Sequence, residues 1–400
     1  MAFDIHAECR PGSRARSRIG AVASALFVVI FGLGTATAGV RDRLLVQGLQ
    51  DLEFHSTDSG SLLLSRNDGD PAGAALLRLW VAAELAPGFQ AIVLGRLEGG
   101  DASDAGETHG SLDQALLRYV FPGKANILID AGKVGAPFGD FSDRYLSNVN
   151  PLIAGPDSYD VSYPTGIVLT GRMSSFDYRV AVLDEPLANE EYVPGSDSAL
   201  RPGFGIGVSP MIGLRFGGYF TTGPYLGRDV EPMLPSGADW KNFAQEIAGF
   251  ELEFSRGHFE LHGDIAYSSY EVPTVSEEAR GLAWFVEPKY TWTPRLYTAL
   301  RIQRNDYPFI KPLPSGSWIV ANADFIDVEV GAGWRFTRDL LLKVSYRQDH
   351  WGAASDTGVN TSISSAHSED GEIAVLPDGH AFTVQLSYGF DPISWFDRPR

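Results

Sequence analysis

Apolar and polar side chains alternate one by one from Phe243 to Tyr270. Ala248, Phe250, Leu252 and Phe254 fall on one face, and Gly249, Glu251 and Glu253 on the other. Beyond Arg256-Gly257, Phe259, Leu261, Ile265 and Tyr267 alternate with Glu260, His262, Asp264 and Ser268. Strand side chains have period two, so this stretch predicts a hairpin with one apolar and one charged face. Each arm exceeds the five or six residues of an average strand. A soluble sandwich turns its apolar faces inward and rarely needs such length. Strands of roughly ten residues, apolar outside and charged inside, are the pattern of a membrane-spanning barrel.

The same reading predicts strands at about 43–55, 74–86, 89–98, 111–121, 125–133, 163–173, 175–184 and 203–209. In the second half they fall at about 211–222, 240–255, 257–271, 280–293, 295–305, 324–337, 339–351 and 380–390. Short turns such as Pro87-Gly88, Arg256-Gly257 and Arg338-Asp339 alternate with long polar connections at about 56–73, 99–110, 134–162, 185–202, 223–239, 272–279, 306–323 and 352–379. The predicted fold is therefore all-β: a transmembrane, antiparallel, up-and-down barrel of about sixteen strands, with short periplasmic turns and long external loops. Phe89, Phe121, Phe254, Phe259, Trp292, Trp334, Tyr388 and Phe390 gather near the short turns, where a barrel carries an aromatic girdle against the lipid interface.

The first residues have another purpose. Arg10, Arg14, Arg16 and Arg18 precede an apolar run, Ile19 to Leu33, and Ala36-Thr37-Ala38 supplies a small-x-small cleavage pattern. Residues 1–38 read as a secretory signal peptide, the run being short for a spanning helix. Residues 39–390 then form the barrel and 391–400 a periplasmic tail. The single cysteine, Cys9, lies in the leader, so the remaining chain has no disulfide or thiolate metal site. The formal net charge of −18 argues against nucleic acid, whose phosphates need a basic surface. Nothing in the sequence asks for a cofactor.

One stretch is distinctive: Asp130 to Ile153, DAGKVGAPFGDFSDRYLSNVNPLI. A strand ending in Gly132-Lys133, followed by Ala136-Pro137-Phe138-Gly139, resembles the phosphate-selective porin O/P-type family and related sixteen-strand porins. The last strand, Phe382 to Phe390, is similar to the closing strand that the barrel-assembly machinery reads, although the segment DPISWFDRPR follows it. The resemblance implies that loop 134–162 folds into the lumen as a constriction, and that the barrel forms a homotrimer. Selectivity for phosphate in that family goes with a basic ladder. Here the loop offers Lys133 and Arg144 against Asp140, Asp143, Asp157 and Asp160, so only the architecture is carried over.

If the apolar face is outside, the polar face lines a pore. One arc reads Arg78, Arg96, Arg118, Arg172, Arg179 and Arg215. The other reads Glu251, Glu253, Glu260, Asp264, Glu287, Asp327 and Glu329, with Arg301, Arg335 and Arg347 among them. Two outcomes are open: a transverse field between acidic loop and arginines, or mutual pairing that merely keeps the lumen wet. Acidic external positions, such as Asp101, Asp104, Glu107 and His109, could hold divalent cations that bridge lipopolysaccharide, or could simply be solvated. Glu260, His262 and Asp264 share a face, but residues two apart on a strand lie about 6–7 Å apart, too far for a hydrogen-bonded catalytic set. No nucleophile elbow, zincin helix or phosphate loop is present. The expected function is an outer-membrane channel for small hydrophilic solutes or ions, seated in outer-membrane lipid and lipopolysaccharide. A plugged barrel serving as a surface platform or adhesin, and a soluble periplasmic β protein, are the rivals.

Overall fold

The computed structural model describes residues 43–61, 64–102, 108–123, 126–139, 144–158, 162–184, 199–312, 317–352 and 378–392. Among these, sixteen strands form one closed antiparallel barrel. The first eight are β1 (Leu44–Thr57), β2 (Ala72–Ala86), β3 (Phe89–Gly99), β4 (His109–Val120), β5 (Leu128–Lys133), β6 (Thr165–Met173), β7 (Phe176–Asp184) and β8 (Leu200–Met211). The rest are β9 (Leu214–Pro224), β10 (Ala244–Arg256), β11 (Phe259–Tyr270), β12 (Ala279–Thr291), β13 (Leu296–Pro312), β14 (Trp318–Arg335), β15 (Leu340–Trp351) and β16 (Gly379–Phe390). Each strand pairs with its sequence neighbours, and β1 closes onto β16 from Gly48 opposite Phe390 to Thr57 opposite Ala381. The leader, acidic positions 104 and 107, and tail residues 393–400 lie outside the described residues.

The hairpin of β10 and β11 displays the two faces. Phe250 sits opposite Ile265 and Glu251 opposite Asp264. Phe250 is 48% exposed on the outside, whereas Glu251 is 2% exposed and turned inward. A strand of twelve residues spans roughly 40 Å along its axis, and at a tilt of about 35–45° it covers an apolar band near 25–30 Å tall. Near the short turns Phe89, Phe121, Trp292, Trp334 and Tyr388 are exposed outward. Phe254 packs on Phe259 at 6.2 Å between ring centroids, and Tyr388 on Phe390 at 5.9 Å.

Two regions expected as polar loops are built otherwise. Strands β13 and β14 continue past the barrel rim, pairing from Leu296 opposite Trp334 to Pro312 opposite Trp318, through much of the stretch read as connection 306–323. Pairing of β12 with β13 ends at Asp306, so the extension is an edge, where Pro308 and Pro312 cost no ladder bond. Beside it Leu226, Val230, Trp240, Val272, Trp318 and Val320 form a buried apolar cluster outside the barrel proper. Trp318 donates its backbone N–H to Thr274 Oγ1 (3.0 Å) and its indole N–H to the carbonyl of Met233 (3.3 Å). Loops 225–243 and 271–278 are therefore packed against the hairpin. Pattern reading missed this because their apolar residues follow no strand or helix period.

Candidate functional site: the lumen and its inward loop

Residues 134–139, 144–158 and 162–164, between β5 and β6, leave the wall and enter the barrel. The base continues the ladder inward for two more bonds, Val134 N–H to Pro164 O (2.9 Å) and Ala136 N–H to Ser162 O (3.0 Å). Gly132 enables the departure: its φ of +133° suits glycine, and a Cβ there would collide with the carbonyl of Ala115. Val134 and Phe138 then pack on inward-facing Leu116, Val168, Ala181, Leu183 and Tyr219. Burying these apolar side chains favours an inward course over an outward one. Lys133, at the end of β5, is buried.

The segment 144–158 reaches the wall formed by β12 to β15, eight strands away in a ring of sixteen and therefore opposite. Arg144 bonds Glu287 at 2.8 Å. The backbone N–H groups of Ile153 and Ala154 donate to Glu329 Oε1 at 3.1 and 3.2 Å. Arg301 donates to the carbonyl of Ala154 (2.7 Å) and to Asn150 Oδ1 (3.2 Å), and is ion-paired with Glu287 and Glu329. Lys343 caps the carbonyl of Leu152 at 2.8 Å. Asp157 takes Arg347 and the side-chain amide of Gln303, while Arg347 also holds Asp327 at 2.5 Å. On β1, Asp51 accepts from Ser147 at 2.5 Å. Four cations and four carboxylates thus meet in a region where Arg301, Glu287, Glu329 and Asp327 have at most 1% side-chain exposure. Charges this dry survive because Arg301, Glu287, Glu329 and Asp327 are paired and hydrogen-bonded, and Lys343 is held by two loop carbonyls.

Parts of the other side of the lumen are wetter. Arg118 and Asp130 form a bidentate pair at 2.7 Å, Arg96 approaches Asp113 at 3.5 Å, and Arg78 approaches Asp51 at 3.4 Å. Arg78 stands directly opposite Arg96 across β2 and β3. Arg215 binds Asp177, Glu251 and Glu253 at 2.7–2.8 Å, and Arg179 lies 3.8 Å from Glu251. Glu260 pairs with Lys289 at 2.9 Å, and Asp264 accepts the hydroxyl of Tyr219 at 3.0 Å. Arg172 is exposed and opposite Asp177. Side chains of Arg96, Arg118, Glu253 and Glu260 keep about a third of their exposure (33–34%). Over this arc the loop lays Tyr145, whose ring lies 5.6 Å from the Arg78 guanidinium and whose hydroxyl meets that of Tyr163 at 2.6 Å. Burial pushes both phenols above the ordinary tyrosine range, so the pair stays neutral.

Loop positions Asp140, Asp143 and Asp160 lie outside the described residues. The described loop brings both signs to the wall, through Arg144 and Asp157. The partners that pattern reading did not single out are Asp51, Asp113, Asp130, Asp177 and Gln303. Asp51 was findable, because it shares the polar face of β1 with Glu53 and His55. Asp113 was not: it is the extra residue of a bulge between β3 and β4, which breaks the period.

With this geometry in view, the chain is similar to solved structures of three outer-membrane proteins. One is OmpT, an outer membrane protein of Vibrio cholerae, with TM-score 0.54, 10% identity, and coverage of 87% of this chain and 97% of that one. Another is the anion-selective porin from Comamonas acidovorans, with TM-score 0.56, 10% identity and coverage of 87% and 99%. The third is Salmonella typhi OmpF in complex with daunomycin, with TM-score 0.52, 14% identity and coverage of 87% and 97%. The fold is that of a porin barrel. No protein-family model matches the chain, and no curated protein matches it.

Proposed function

We propose that this protein is an outer-membrane porin, a passive diffusion channel for small hydrophilic solutes or ions. The observation that carries the reading is the contrast within the lumen. The loop is clamped dry against β12 to β15, while on the opposite wall Arg96 and Arg118 keep about a third of their side-chain exposure (33–34%). A loop anchored at its base and across the barrel is a fixed constriction, and the stretch of wall around Arg96 and Arg118 is the route past it. An apolar outer face, aromatic residues near the short turns and the likeness to porin barrels support a seat in the outer membrane, reached through the N-terminal signal peptide. A homotrimer is proposed on the same likeness, one of the similar Vibrio cholerae OmpT structures being a trimer form. The ion pairs along both arcs favour a lumen of locally balanced charge over a phosphate-selective ladder.

Single-channel recording of the mature protein in a planar bilayer under a KCl gradient tests this. Stable conductance steps are expected, and their reversal potential gives the preferred ion sign. Silence from a correctly folded barrel would favour the rival, a plugged surface platform, for which the packed external cluster around Trp240 and Trp318 would be the presenting face.

A further inference from the structure

A cavity of about 100 Å³ lies on the inner wall near the short-turn end, apart from the ion pairs that anchor the loop. Arg335, at the end of β14, and Arg338, in the β14–β15 turn, both line it, together with Ser387 of β16. Leu49 and Leu341 supply apolar walls, and Asn148 at the tip of the inward loop closes one side. The carbonyl of Asn148 accepts from Arg335 Nη2 at 3.4 Å, a long and weak bond that leaves most of the guanidinium fork uncommitted.

Arg335 and Arg338 differ from the paired arginines of the lumen. Arg78, Arg96, Arg118, Arg215, Arg301 and Arg347 each have a carboxylate within 4.0 Å. Arg335 and Arg338 have none, as is also true of Arg172, Arg201, Arg256 and Arg295 among the described residues, and Asp339 also borders the cavity. Two arginines lining one small cavity bring like charge to it, which an anion would offset. Their planar forks match the oxygens of a carboxylate or phosphate. A water needs about 10–15 Å³ of such space, so the cavity holds several waters or one small oxyanion, and no sugar or nucleotide. Leu341 and Ser387 are buried on the inward face, while neighbouring Tyr388 is exposed outward. The ligand therefore arrives from the lumen and not from a lipid headgroup.

We propose that Arg335 and Arg338 form a binding site for a small soluble oxyanion, of the carboxylate or phosphate class, at the short-turn mouth of the barrel. This deepens the channel reading by giving an anion a resting place below the constriction, and depends on it only for the anion being in transit. Inorganic phosphate and acetate, titrated separately by calorimetry into the mature barrel in nonionic detergent, test the site. Saturable binding of at least one is expected in the millimolar range or tighter. It should weaken at least tenfold in the Arg335→Ala/Arg338→Ala double variant and stay unchanged in Arg256→Ala, which alters a different turn. Heat-modifiable migration in gels confirms that each variant is folded. No saturable binding to the folded parent, or equal binding to the double variant, overturns the proposal. Displacement of the anion by stoichiometric phosphatidylglycerol would place the site on the lipid side and overturn it too. Binding in micelles requires no conduction, so silent bilayers would sink the channel reading without touching this result, and the converse also holds.

Discussion

Arg301 illustrates how one inward side chain can hold a loop. It joins two wall carboxylates, Glu287 and Glu329, to the loop carbonyl of Ala154 and the amide of Asn150. Arg301→Ala would strand buried carboxylate charge, and Arg144 reaches only Glu287. A loss of about 3–5 kcal/mol is expected, read as a lower urea midpoint of the refolded barrel. Gly331 tests shape instead of charge. A Cβ there would stand 2.8 Å from Leu152 Cδ2 and 2.9 Å from the carbonyl oxygen of Val344, so Gly331→Val should push Leu152 off the wall and strain the pairing of β14 with β15. The expected outcome is a loop cleaved faster in limited proteolysis and a lower urea midpoint. Both residues fall in strands legible from alternation, yet neither role was legible. Nothing in the local pattern says that a loop some 150 residues earlier will lie on them.

At the scale of elements, the inward loop makes the sharpest claim. Replacing residues 144–158 with a short Gly-Ser linker removes the constriction and its clamp together. The expected result is larger single-channel conductance with weaker ion preference, and unchanged values would reject the loop as the narrowing element. Gly132-Lys133 was singled out only through a family resemblance, and the structure supplies the physical reason for the glycine, a positive φ and a close neighbouring carbonyl. The loop's landing point was not legible. Arg144 finds Glu287 and Asp157 finds Arg347 only once the ring of strands has closed. The external extension of β13 and β14 was missed for a different reason: Pro308, Pro312 and nearby polar residues read as loop, and an edge strand tolerates prolines that a central one does not.

For the whole molecule, the inside-out arrangement predicts opposite responses from adjacent residues. Phe250→Arg puts a charge on the outer apolar band and should cost about 2–4 kcal/mol in lipid if the position lies near mid-membrane. Glu251→Gln, one residue on, keeps the shape while removing a charge from the Arg215 cluster. It should leave the barrel inserted and alter chiefly its ion preference. Refolding into vesicles and bilayer recording distinguish the two. Alternation of period two, turn residues and the alternation of short and long connections were enough to determine sixteen strands, their order and which face is apolar, because these are local properties of extended chain. Tertiary structure alone decided which arginine meets which carboxylate, where the loop docks, and that external segments share an apolar cluster. Those contacts join residues far apart in sequence, and their partners are selected by barrel closure, which no local period encodes.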